Sequence, residues 1–198
     1  MKNEDQRVLD PREPLVVDVH DLSRRPGSMR ELDLDVAAPA DLGTVVIGVP
    51  QGSPLELDLR LESVMEGVLV SGNVHAELVG ECARCLEPVT DELDVTLTEL
   101  YVYPERAKSA QEVGDDEEAE EVHELVGELL DLEPALRDTI VMALPFRPLC
   151  TPDCQGLCSE CGVRLSDPGN EDHHHEILDP RWNALKALTG EESPEQES

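Results

Sequence analysis

Between Leu55 and Glu62 the chain alternates strictly. Leu55, Leu57, Leu59 and Leu61 are separated by Glu56, Asp58, Arg60 and Glu62, the period of a strand with one face in a core and the other in water. Residues 31–36 repeat the pattern with acids between Leu32, Leu34 and Val36, and the apolar runs 15–19 and 45–49 predict shorter strands. Residues 64–70 and 74–79 are apolar-rich and flank Ser71-Gly-Asn73, which predicts a hairpin. A long strand is expected over 89–103, with Leu93, Val95 and Leu97 on one face, and Pro104 ends it. Strands at such short spacing predict an antiparallel meander or an open barrel.

Residues 105–121 are polar and aperiodic and predict a loop; from Glu112 to Glu133 there are eleven acids and no Lys or Arg. Residues 122–132 fit strand or helix. Asp131, Glu133 and Pro134 mark a helix start, and Leu136, Ile140, Val141 and Leu144 form a stripe at helical spacing. Pro145 and Pro148 stop that helix. Asp179-Pro-Arg-Trp182 opens a last helix, which Gly190 follows.

Six cysteines change this picture from a plain β domain to a metal-stapled one. Cys82 and Cys85 form a Cys-x-x-Cys pair at the end of a predicted strand, and Cys150, Cys154, Cys158 and Cys161 crowd into twelve residues. Thiolates are soft ligands that suit zinc, and a Cys-x-x-Cys pair can grip an ion from a tight turn. Gly162, directly after Cys161, fits such a turn. Three groupings are open. One uses the four later cysteines alone; a second joins the two Cys-x-x-Cys pairs. A third makes two sites: Cys82, Cys85, Cys150 and Cys154 in one, and Cys158 and Cys161 with two imidazoles of His173-His-His175 in the other. His173 and His175 share a face if the loop is extended. A structural zinc closes all four positions, whereas a catalytic one keeps a place for water. An all-cysteine first site therefore predicts a structural role. Arg84, inside the first pair, can donate to a thiolate or face a partner.

Composition explains why a staple is useful. The hydrophobic fraction is 39%, and Tyr101, Tyr103, Phe146 and Trp182 are the whole aromatic complement, so aliphatic side chains carry a thin core. Forty-five acids against fifteen bases give a net charge of −30. That field opposes extensive contact with nucleic acid, whose binding rests on Lys and Arg, and favours basic partners. No secretory signal or membrane-length apolar run is visible, so a cytoplasmic protein is expected, where paired cysteines are metal ligands rather than disulfides. Gly-rich phosphate loops, nucleophile elbows and His-Glu-x-x-His are absent from the sequence. His20, His75 and His123 stand alone and read as surface or packed histidines.

The ordered motifs resemble the YceD family, the large ribosomal RNA subunit accumulation proteins. The resemblance rests on Cys82-Ala-Arg-Cys-Leu-Glu-Pro88, on Ala143-Leu-Pro145 leading to Pro148-Leu-Cys150, on Asp153-Cys-Gln-Gly-Leu-Cys-Ser-Glu-Cys-Gly162, and on Asp179-Pro-Arg-Trp182. Gly27-Ser28 also suits the family, and the match spans about residues 15–188. The resemblance implies a cytoplasmic or plastid protein without enzymatic activity, whose loss impairs accumulation of large-subunit ribosomal RNA. Family genes often neighbour that of a small large-subunit ribosomal protein. Some members keep only the first pair with a Cys or His pair at the positions of Cys150 and Cys154, which implies the two-site grouping. Other members carry Cys-x-Cys where this chain has His173–His175.

The expected fold is thus α+β, mainly antiparallel β-sheet or open barrel, with a Cys-rich zinc-bound module and a C-terminal helix. Residues 1–14 are read as an arm and 15–149 as the β-rich domain. Residues 150–189 form the module, packed with Cys82 and Cys85, and 190–198 an acidic tail. The expected ligands are Cys82, Cys85, Cys150, Cys154, Cys158, Cys161, His173 and His175, holding one or two structural zinc ions. The expected partner is a basic ribosomal protein or a large-subunit precursor, with limited nucleic-acid contact and no membrane. The alternative is a zinc-dependent hydrolase acting near His173–His175.

Overall fold

A computed structural model describes residues 9–106, 123–170 and 173–175 of the chain. The acidic segment at 107–122, the helix expected from 179 and the tail lie outside the described residues. The alternating segments become a five-stranded antiparallel sheet: β2 (Met29–Ala37), β4 (Pro54–Ser63), β5 (Gly67–Glu81) and β6 (Pro88–Val102), with the short β3 (Ile47–Gly48) beside the end of β5. In space β2 pairs β4, β4 pairs β5, and β6 runs along the whole other side of β5. The sheet is not closed into a barrel, because β2 and β6 bound it without pairing each other. A small second ladder joins β1 (Val16–Asp18) to β7 (Leu129–Asp131).

The residues expected to form a hairpin around Ser71-Gly-Asn73 do not turn. They lie in the middle of β5, and the chain reverses earlier, where the Val64 N–H donates to Gly67 O at 2.9 Å. Gly72 serves closeness rather than a turn: a Cβ there would lie 2.0 Å from the Asp58 carbonyl oxygen across the ladder.

Leu55, Leu57, Leu59 and Leu61 all point inward and are essentially buried. They meet Val70, Val74 and Leu97 of the neighbouring strands and are covered by Leu130, Leu136 and Ile140. The last two belong to helix α1 (Glu133–Ala143). Asp131 sits just before it, and its Oδ1 accepts from the Glu133 N–H at 3.0 Å, stabilising an otherwise orphaned donor. Pro145 and Pro148 then lead the chain back toward the end of β5, where the Ala83 N–H donates to Pro148 O at 2.8 Å.

The outer face is acidic enough to place like charges opposite one another: Asp33 faces Asp58, Asp35 faces Glu56, and Glu77 faces Glu92, each an unfavourable pair. Glu31 is matched by Arg60 and Asp94 by His75. His75 Nδ1 lies 2.9 Å from Asp94 Oδ1, and this hydrogen bond raises the imidazole pKa above 6.5. A raised folded pKa means that the contribution is fully present below about 6.5 and is lost as pH rises through the folded value. Ring-proton NMR should show the His75 midpoint falling in Asp94→Asn. Equal midpoints in both proteins would mean that Asp94 does not hold the ring.

Candidate metal centres

The end of β5 turns sharply at 82–87. The Cys82 N–H donates to Glu87 O at 2.7 Å and the Leu86 N–H to Cys82 O at 2.9 Å, so Cys82 and Cys85 project from one knuckle. The proline-guided return of the chain brings Cys150 and Cys154 against it. Cys82 and Cys154 Sγ atoms lie 3.7 Å apart, and those of Cys85 and Cys150 3.5 Å apart. All four ligand atoms lie within 4.8 Å of one another. Cys82, Cys85 and Cys154 are buried, with Val89, Leu149 and Leu157 packed around them.

A second group follows three residues later. Cys158, Cys161, His173 and His175 also bring their ligand atoms within 4.8 Å of one another. Cys161 Sγ is 3.3 Å from His173 Nε2 and 3.2 Å from His175 Nε2. This knuckle repeats the first: the Cys158 N–H donates to Val163 O at 2.8 Å and the Gly162 N–H to Cys158 O at 2.9 Å. The loop folds back through Asn170, whose side-chain amide donates to Arg164 O at 2.8 Å while its backbone carbonyl accepts from the His173 N–H at 3.0 Å. His174 is not one of the four donors. Cys161 and His175 are exposed, so this group is the more open of the two.

Backbone dipoles favour the thiolate at one cysteine of each group. The Cys150 N–H aims at Cys82 and pulls its thiol well below the usual range, while burial pushes the Cys154 thiol up. The Cys161 N–H likewise lowers the Cys158 thiol. Buried thiolates repel one another unless a cation neutralises them. A tetrahedral zinc with Zn–S near 2.3 Å sets sulfurs about 3.8 Å apart, and a sulfur and an imidazole nitrogen about 3.6 Å apart. The observed separations lie close to these edges, so both donor sets can hold a metal ion.

The two groups are tied together. Arg84 Nη1 donates to Cys154 O at 2.7 Å, and the Leu157 N–H donates to Arg84 O at 3.0 Å. Arg84 thus binds a ligand's backbone rather than a thiolate. Gly156 makes this possible: its φ is +81°, and a Cβ would lie 3.0 Å from Arg84 O. Arg164 pairs with Glu87 across the two knuckles. Neither Arg164 nor Asn170 belongs to any spacing motif, so sequence reading did not reach them. Leu86, after the first pair, holds a left-handed φ of 62° and is 61% exposed, where Gly162 fills the equivalent place after the second.

Residues 70–189 match the family of large ribosomal RNA subunit accumulation protein YceD. The chain belongs to this family. The YceD match takes in every donor of both groups. The chain is 50% identical over 181 residues to the uncharacterized protein Rv2926c of Mycobacterium tuberculosis, covering 91% of this chain and 84% of that one. It is 41% identical over 183 residues to the uncharacterized protein ML1660 of Mycobacterium leprae, covering 92% and 81%. To the uncharacterized protein YlbN of Bacillus subtilis it is 23% identical over 137 residues, covering 69% and 74%. No solved structure matches the chain.

Proposed function

We propose that the protein is a non-catalytic factor that supports accumulation of large-subunit ribosomal RNA in the cytoplasm, with zinc holding its Cys-rich module in shape. The YceD family match carries this reading. The donor sets support the structural role: four side chains converge in each, so a tetrahedral ion would have no position left for a reacting water. When bound, zinc would supply charge neutralisation and a cross-link between distant segments. Among the described residues no helix is long and apolar enough to cross a membrane.

The net charge of −30 supports a basic protein or a protein face of an assembly intermediate as the partner, rather than an RNA backbone. Deleting the gene should lower the ratio of large- to small-subunit ribosomal RNA and the free large-subunit peak on a sucrose gradient. The wild type should restore both, and Cys82→Ser should not. An unchanged ratio with a normal gradient would remove the ribosomal reading.

A further inference from the structure

The free edge of β2 is built differently from a guarded sheet edge. The Ser63 N–H donates to Ser28 O and the Ala38 N–H to Ser53 O, which fixes the phase of the β2–β4 ladder. Even-numbered residues of β2 bond to β4, and the N–H and C=O groups of Met29, Glu31, Asp33, Asp35 and Ala37 point away. Among the described residues these outward groups have no backbone partner. The strand runs nine residues without proline or lysine, two of the devices that blunt an edge, and its one inward charge, Arg30, is partly buried and turns back to donate to Asp18 O at 2.9 Å.

Its two faces define what would fit. Inward, Leu32, Leu34 and Val36 are only partly buried at the core margin, so a further strand would cover them. Outward, Glu31, Asp33 and Asp35 are exposed. The opposite edge, β6, instead places the exposed Asp91 and the partly exposed Glu99 at the inward parity of Leu93 and Leu97, which guards it. Pairing of two β2 strands in register would set carboxylate against carboxylate, which disfavours a second copy of this chain.

We propose that β2 is a docking strand for an extended segment of a partner protein that alternates apolar residues with Lys or Arg and adds to the sheet edge. Main-chain hydrogen bonds would supply affinity, and alternation against the acidic and apolar rows would supply specificity. This inference rests on the preceding reading, since it takes the basic partner from there and names its place and conformation.

The probe is a short peptide alternating lysine with valine, compared with one of the same composition whose lysines are contiguous. In amide hydrogen exchange of the full chain, the alternating peptide should protect Met29, Glu31, Asp33, Asp35 and Ala37. Asp33→Pro removes one outward N–H without touching the β4 ladder. It should weaken peptide binding about tenfold and leave thermal unfolding unchanged. Equal binding of both peptides, binding without protection of these amides, no binding, or self-association through β2 would each overturn the docking strand. In cells, full rescue of the deletion by Asp33→Pro would overturn it while leaving the ribosomal reading intact. A deletion without effect on the subunit ratio would remove that reading, and the peptide measurements would still decide the edge.

Discussion

Replacing Cys82 with serine should abolish zinc binding at the first group and loosen residues 149–170. Cys82 is fully buried at the end of β5; Cys85 shares its turn, and Cys150 and Cys154 come from the chain that follows the helix. The site therefore closes a loop between segments far apart in sequence. In small peptides a structural zinc is worth on the order of 10 kcal/mol of folding free energy, more than the ~2–5 kcal/mol expected for truncating a buried leucine to alanine. Metal analysis should show less bound zinc in Cys82→Ser. Limited proteolysis should cut the variant within 150–170 while sparing the sheet, and a chelator should reproduce the pattern in the wild type. A variant that holds as much zinc and resists protease like the wild type would dismiss the staple.

The loss should reach the second group as well. Only three residues separate Cys154 from Cys158, and the Arg84 bridge to Cys154 O and Leu157 N–H spans that interval. The Glu87–Arg164 pair adds a side-chain tie between the two knuckles. The more exposed Cys158–Cys161–His173–His175 group is thus positioned by the buried one rather than standing alone. This hierarchy fits a thin core that uses one closed centre to build the platform for the next.

The sheet was legible wherever burial is one-sided. The alternating leucines of β4 and the acidic alternation of β2 name the inward face residue by residue, and β6 kept nearly its expected length from 88 to 102. The grouping of cysteines was not fixed by spacing, because all three arrangements satisfy local geometry. The choice depends on where Pro145 and Pro148 send the chain, a long-range fact that the donor positions alone do not contain. The misread hairpin has a local cause. Ser-Gly-Asn is good turn chemistry, yet the buried positions Val68, Val70, Val74, Ala76 and Leu78 are all even-numbered. That unbroken parity was the signal of a continuous strand.

Gly72→Val should therefore damage the sheet more than any surface change. In β5 Gly72 stands opposite Leu59, and a Cβ would fall 2.0 Å from Asp58 O and 2.8 Å from the Leu59 Cα. Both obstacles are backbone, so no rotamer change relieves them, and β4 must move away from β5 at the centre of their ladder. Leu57, Leu59 and Leu61 project from that same stretch into the core, so separation also loosens their packing. The expected loss is about 3 kcal/mol, at the upper end of overpacking costs. It should be read as a lower urea midpoint with the slope preserved. Asn73→Ala, one residue along on the exposed face, should stay within about 0.5 kcal/mol. If Gly72→Val unfolds at the wild-type midpoint, the two strands are not held at this close approach, and the glycine is there for some reason other than the ladder.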